Sequence, residues 1–144
     1  MRFELNLFLL LAGVTTFASC VAPAAADDEK SNFFETQIRP VLVQHCYPCH
    51  SQRASTLQGG LWVDSLEGLL RGGDSGPALD LKKSNESILL SALRHQDFKM
   101  PPKGKLSDSV IRDFEIWLES GAFSPDSFKT ADGPQPREID WDSA

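Results

Sequence analysis

Cys46-Tyr47-Pro48-Cys49-His50 is a C-x-x-C-H run, and it decides how the rest of the chain is read. Two thiols separated by two residues reach one edge of a porphyrin and add across its vinyl groups. An imidazole placed directly after the second thiol swings under the iron as the proximal ligand, a normal role for neutral imidazole nitrogen. The spacing is the attachment signature of c-type haem. A thioredoxin-like C-x-x-C calls for a βαβ context, which the flanking sequence lacks. A zinc site needs four converging ligands. His45, Cys46, Cys49 and His50 come as adjacent pairs that converge poorly on one ion, and no second cysteine pair follows.

Downstream, Met100 is the only methionine besides the initiator, and Pro101 and Pro102 follow it. A thioether is a soft, uncharged ligand that favours ferrous iron, and Met/His ligation raises the reduction potential. The prolines limit backbone freedom and fix the approach of the sulfur. Met100 in its Lys99-to-Lys103 context makes a poor core position, so it is read as the second axial ligand. His95 is the rival for that place. His45 is tied too close to the proximal face to reach the distal one. Trp62, Trp117 and Trp141 are candidates for a haem edge, against a default of core packing. Arg71 and Arg94 are candidate propionate partners, against a default of solvent exposure. The predicted site is therefore Cys46 and Cys49 for attachment and His50 and Met100 on the metal. No catalytic residue is predicted, and the chain is expected not to be an enzyme.

The N-terminus reads as a leader. A mostly apolar stretch from Leu5 to Phe17 follows Arg2, and Ala24-Ala25-Ala26 offers an A-x-A cleavage site. Residues 1–26 are thus a predicted signal peptide, too short in its apolar part to span a bilayer comfortably. Phe17-Ala18-Ser19-Cys20 also resembles a lipobox. Membrane attachment is expected only if Cys20 is lipidated. Either route leaves Cys46 and Cys49 as the free thiols of an exported, periplasmic domain. Two cysteines so close do not make a disulfide framework, whereas haem c is attached outside the cytoplasm. The formal net charge of −6 excludes nucleic acid as a partner. Redox proteins, unidentified, are the expected partners.

The remaining pattern is helical. Ser31 or Asn32 is expected to cap a helix bearing Phe33, Phe34 and Ile38, with Pro40 kinking it or opening a second turn. Ser65 caps a turn through Leu66, Leu69 and Leu70, stopped by Gly72-Gly73. Gly72 to Pro77 is a loop. Ser84 or Asn85 is expected to cap a helix with Ile88, Leu89, Ala92 and Leu93 inward. Ser107 caps the last, with Val110, Ile111, Phe114, Trp117 and Leu118 at helical spacing and Gly121 as terminator. The result is an all-α domain of three to four short helices joined by Gly/Pro-rich loops around one haem. Residues 27–32 are a polar leader, 33–122 the domain and 123–144 an irregular tail. A core this thin is expected to draw much of its stability from the cofactor.

From Phe33 to Ala122 the chain resembles the planctomycete-type cytochrome c domain. The resemblance is carried by Ile38-Arg39-Pro40, Cys46 to Ser51, Gly59-Gly60-Leu61, Gly72 to Pro77, Ser87-Ile88-Leu89, Lys99 to Pro102, and Trp117 with Gly121-Ala122. It implies a class I-like cytochrome c fold with one covalent haem c, attached at Cys46 and Cys49 and ligated by His50 and Met100. Leu79 to Lys83 replaces the Pro-Gly turn usual in that family. Ile139 to Asp142 resembles the approach to a following domain. The expected function is that of an exported monohaem cytochrome transferring electrons. The alternatives are a redox or gas sensor with a dissociable Met100, and an accessory haem domain of a larger extracytoplasmic dehydrogenase with further domains or a catalytic subunit.

Overall fold

The first helical stretch must accommodate Pro40, whose missing N–H and bulky ring break an ordinary α-helical ladder. In the computed structural model, which describes residues 24–125 and residue 128, the chain does so by widening. Helix α1 (Ala24–Phe33) passes into a π turn over Phe34–Ile38, and α2 (Arg39–His45) follows. The Arg39 N–H reaches back five residues to the Phe34 carbonyl, so Pro40 falls in the first turn of α2, where no donor is needed. The helical run starts earlier than the expected cap at Ser31 or Asn32. Both residues lie inside α1, and the Asn32 carbonyl accepts from Thr36 Oγ1 at 2.8 Å. Asp27 in the first turn of α1 suits the positive end of the helix instead.

The other elements are α3 (Tyr47–His50), α4 (Leu66–Arg71), a 3-10 turn over Ser84–Glu86, α5 (Ile88–Leu93) and α6 (Asp108–Glu119). The one β-type pairing among the described residues is a bridge between Gly73 and Gly76. The all-α class expected from the sequence is the class that forms. Ser65 caps α4 by accepting from Gly68 N at 3.0 Å, and Ser107 caps α6 by accepting from Val110 N at 3.4 Å. Gly121, at φ 91°, ends α6. Its N–H reaches the Leu118 carbonyl while that of Ala122 reaches Trp117, closing the two orphan acceptors in a Schellman turn.

The start of α5 differs from expectation. Ser84 and Asn85 form the 3-10 turn, and Ser87 stands at the cap position without a side-chain cap bond. Its hydroxyl is taken by Asp80 N at 3.0 Å. Asp80 Oδ1 in turn accepts from the N–H groups of Lys82 and Lys83, an Asx-type turn where the resembled family has Pro-Gly.

Phe34, Ile38 and Leu42 form one buried stripe along the first helical run. It packs with Phe114, Trp117 and Leu118 of α6 and Leu90 and Leu93 of α5 in a single core. Trp117 is core, its ring 5.6 Å from that of Phe34 and its indole N–H donated to the Phe123 carbonyl. Part of the expected irregular tail packs on the core. Phe128 is fully buried, with its ring 4.6 Å from Phe34. The nearly buried Arg39 lies over both rings, 5.0 and 5.4 Å from the two centroids, with a two-bond ion pair to Glu35 that offsets its desolvation. Its isolated position among polar residues hid Phe128 from a periodicity search. Trp141, Cys20 and the leader up to residue 23 lie outside the described residues.

Replacing Phe128 with Ala should therefore cost about 3–5 kcal/mol, read as a lower denaturant midpoint at unchanged slope. A change within about 0.5 kcal/mol would show that the segment after Ala122 adds nothing to the core.

Candidate haem-binding site

The C-x-x-C-H residues form a helical turn of their own. Helix α2 stops at His45, Cys46 donates its N–H to Leu42 O, and Pro48 sits in the first turn of α3. The Cys46 carbonyl accepts from Cys49 N at 3.1 Å and His50 N at 2.9 Å. The last two carbonyls of the motif reach forward: Cys49 O takes Gln58 N at 3.0 Å, and His50 O takes Val63 N at 2.8 Å. Ser51 Oγ donates to Tyr47 O, and Asp64 Oδ2 caps the N–H of Gln52 at 2.8 Å. Segment 51–64 is thus bound to the motif at both ends.

This clamp fixes a second contact. Gly73 packs so tightly on the Gly59 carbonyl that any Cβ there would collide with it, and Asp74 N donates to that same carbonyl at 2.8 Å. Gly72, at φ 73°, has the same constraint against Gly76. Two glycine loops therefore make one side of a cavity of about 560 Å³, within the range of about 300–1,000 Å³ typical of cofactor sites. Cys46, Cys49 and His50 line it, as do Leu89, Leu93 and Met100.

The predicted attachment and ligand residues thus share one cavity. Both thiols are free. His50 Nδ1 is buried with no hydrogen-bond partner among the described residues, so the fold leaves this imidazole unclaimed. Met100 is not core filler. It is 37% exposed on the cavity rim, and its N–H donates to Ala92 O at 3.2 Å, tethering the loop to α5. Pro101 behind it is buried. His95 has a buried, unpartnered Nε2 but does not line the cavity; His45, exposed, does. Arg94 is committed to Glu115 at 2.7 Å, and Arg71 stacks on Trp62 at 4.1 Å. No Trp, Arg or Lys is among the lining residues. Gln58, Ser75 and Phe98 also line the cavity. Nothing in their local sequence signals this, because loop packing brings them there. A mostly apolar chamber with two free thiols, an unclaimed imidazole and a thioether on its walls fits a covalently held haem.

Residues 46–104 match the family model described as Planctomycete cytochrome C. That stretch is similar to a planctomycete-type cytochrome c domain, a family whose description suggests a c-type cytochrome, with haem binding and electron transfer. The match opens on the attachment motif and closes just after the Met100 loop, so it spans the cavity walls. No curated protein and no solved structure matched the chain.

The two thiols are not equivalent. Burial, reinforced by the neighbouring Cys49, pushes the Cys46 thiol from 9.0 up to about 12, while Cys49 is exposed. Thiolate is the reactive form. Iodoacetamide at pH 8 should therefore modify Cys49 of the haem-free chain about tenfold or more faster than Cys46, as read by peptide mass. The linkage has a definite sign. Between pH 9 and about 12 the unfolded chain loses the Cys46 proton and the folded chain keeps it. Stability of the haem-free form should fall as pH rises through that window, and Cys46→Ala should flatten the fall.

Proposed function

We propose that the chain is an exported monohaem c-type cytochrome that carries one electron per cycle between redox proteins. The observation that carries this is the convergence of Cys46, Cys49, His50 and Met100 on one cavity. Cys46 and Cys49 would hold the porphyrin edge through thioethers. His50, locked by its backbone bonds to Cys46 and Val63, would supply one axial nitrogen, and Met100 the opposite sulfur. When bound, haem supplies a one-electron couple at iron. With His50 and Met100 both holding the iron, the site would offer no place for substrate, which supports electron transfer as the role. Leu89, Leu93 and Ala78 exclude water from the buried side of the cavity, which disfavours the more charged ferric state. The A-x-A leader supports export, and the single C-x-x-C-H supports one haem per chain.

One observation favours a second reading, a sensor in which Met100 dissociates. Its loop is exposed, and the Met100 main chain is held by a single bond to α5. Rapid carbon monoxide binding by the ferrous protein at neutral pH would support the sensor, and its absence the electron carrier.

Protein made in a host with haem-attachment machinery should carry the mass of one haem after denaturation and show a low-spin visible spectrum. Met100→Ala should keep that mass, lose the weak near-infrared sulfur-to-iron band and lower the potential. If the unmodified protein lacks the band, Met100 is not the ligand and His95 is tested next by His95→Ala. Cys46→Ala with Cys49→Ala should remove the covalent mass and lower the melting temperature.

A further inference from the structure

We infer that the Tyr47 hydroxyl and Asp64 Oδ1 form a built site for one internal water molecule behind the attachment turn, through which Asp64 grips the chain on both sides of His50. Tyr47 Oη and Asp64 Oδ1 are both withdrawn from solvent, and neither has a hydrogen-bond partner among the described residues. Asp64 as a whole is only 5% exposed. Leaving a buried donor and a buried carboxylate oxygen unpaired is costly, so two such atoms in one small domain call for a shared partner. Neither residue lines the cavity. A cofactor held there would therefore leave both atoms unsatisfied.

The two atoms share one electrostatic neighbourhood. Burial above all pushes the Tyr47 phenol up from its ordinary value; Arg39 lowers it, while Asp64, Cys46 and Glu35 raise it further. The phenol thus keeps its proton and offers a donor, and Asp64 Oδ1 offers lone pairs. The two do not meet directly. A water that accepts from the phenol and donates to the carboxylate joins them with the right polarity. The Arg39 guanidinium, held on Glu35 by two bonds, adds charge beside the same hydroxyl. Backbone contacts explain why the site falls here. Asp64 Oδ2 already takes Gln52 N at 2.8 Å, and Ser51 Oγ holds the Tyr47 carbonyl at 2.8 Å. Val63 N, next in the chain to Asp64, is bound to the His50 carbonyl. One carboxylate therefore links residue 52 directly and residue 47 through the water, with His50 between them.

Tyr47→Phe removes one oxygen and keeps the ring, so the sign of its effect decides. With the water in place the substitution breaks the link to Asp64, and the melting temperature of the full chain should fall by on the order of 5 °C. The main-chain N–H groups of His50 and Gln52 should exchange with solvent about tenfold faster. An orphan hydroxyl gives the opposite result: its removal raises the melting temperature or leaves it unchanged, which overturns the site. In an Asp64→Ala background, Tyr47→Phe should lose most of its effect. Should Asp64→Ala fail to fold, Asp64→Asn keeps an oxygen for Gln52 N and should about halve the Tyr47→Phe effect, since the bond is no longer charge-assisted. An undiminished effect in the folded background overturns the pairing. A high-resolution crystal structure should place one water within about 3.2 Å of both oxygens. A direct bond from Tyr47 to Asp64, with no water between, overturns the proposal. None of these outcomes depends on the axial ligands or on the redox role proposed above.

Discussion

The backbone carbonyls of the C-x-x-C-H turn organise everything around them. Cys46 O closes the turn on itself, while Cys49 O and His50 O hold Gln58 and Val63. A short peptide turn with few side-chain contacts would be floppy alone, since each fixed residue costs about 1–2 kcal/mol of backbone entropy. Here the motif is both anchor and anchored: α2 delivers it rigidly from one side, and segment 51–64 returns across its C-terminal end. Because that return path is fixed, Gly59 arrives where Gly73 can rest on it, and the second glycine loop closes the wall. Three of the four chemically important side chains sit on this turn, and the fourth, Met100, lies far along the chain. They meet because one turn sets the register of every loop that follows it.

Helix packing supplies the second half of the cavity. Leu89 and Leu93 of α5 face the cavity, while Leu90, one residue along, is fully buried in the core beside Phe114 and Trp117. A six-residue helix therefore serves two cores at once. The same helix carries the tether to Met100 through Ala92 O. A haem in the chamber would pack on Leu89 and Leu93 of α5, and α5 in turn tethers the loop bearing the thioether. Cofactor binding would then be coupled to folding through this helix, the behaviour expected of a small domain with a thin core.

Much of this was legible in the sequence because it depended on local chemistry. Caps at Ser65 and Ser107, the stop at Gly121 and the α6 stripe are short-range signals, and all formed as read. The chemistry of the site was equally local, since the cysteine spacing and the adjacent histidine name their own cofactor. What escaped depended on contacts between distant residues. The π turn before Pro40 lengthened the first helical run backward and displaced the cap expected at Ser31 or Asn32. Ser87 gave its hydroxyl to Asp80, so α5 began three residues later than a cap at Ser84 would have it. Phe128 became core because Arg39 and Phe34 present a buried surface to it, a fact no periodicity within the tail could reveal. Nothing in the local sequence around Gly59 and Gly73 signals that these glycines let two backbones touch.

The position of Met100 links these observations. A ligand buried in the core would be held firmly and would keep a partner away from the iron. A ligand on a loose loop would dissociate. Met100 lies between these limits: its main chain is tied to Ala92, the proline behind it is buried, and its own side chain keeps more than a third of its surface exposed. For the ligand role proposed above, that arrangement would hold the thioether in place and still leave the site close to the surface. If Met100 is the ligand, retention of the metal and access to it would both depend on this one loop.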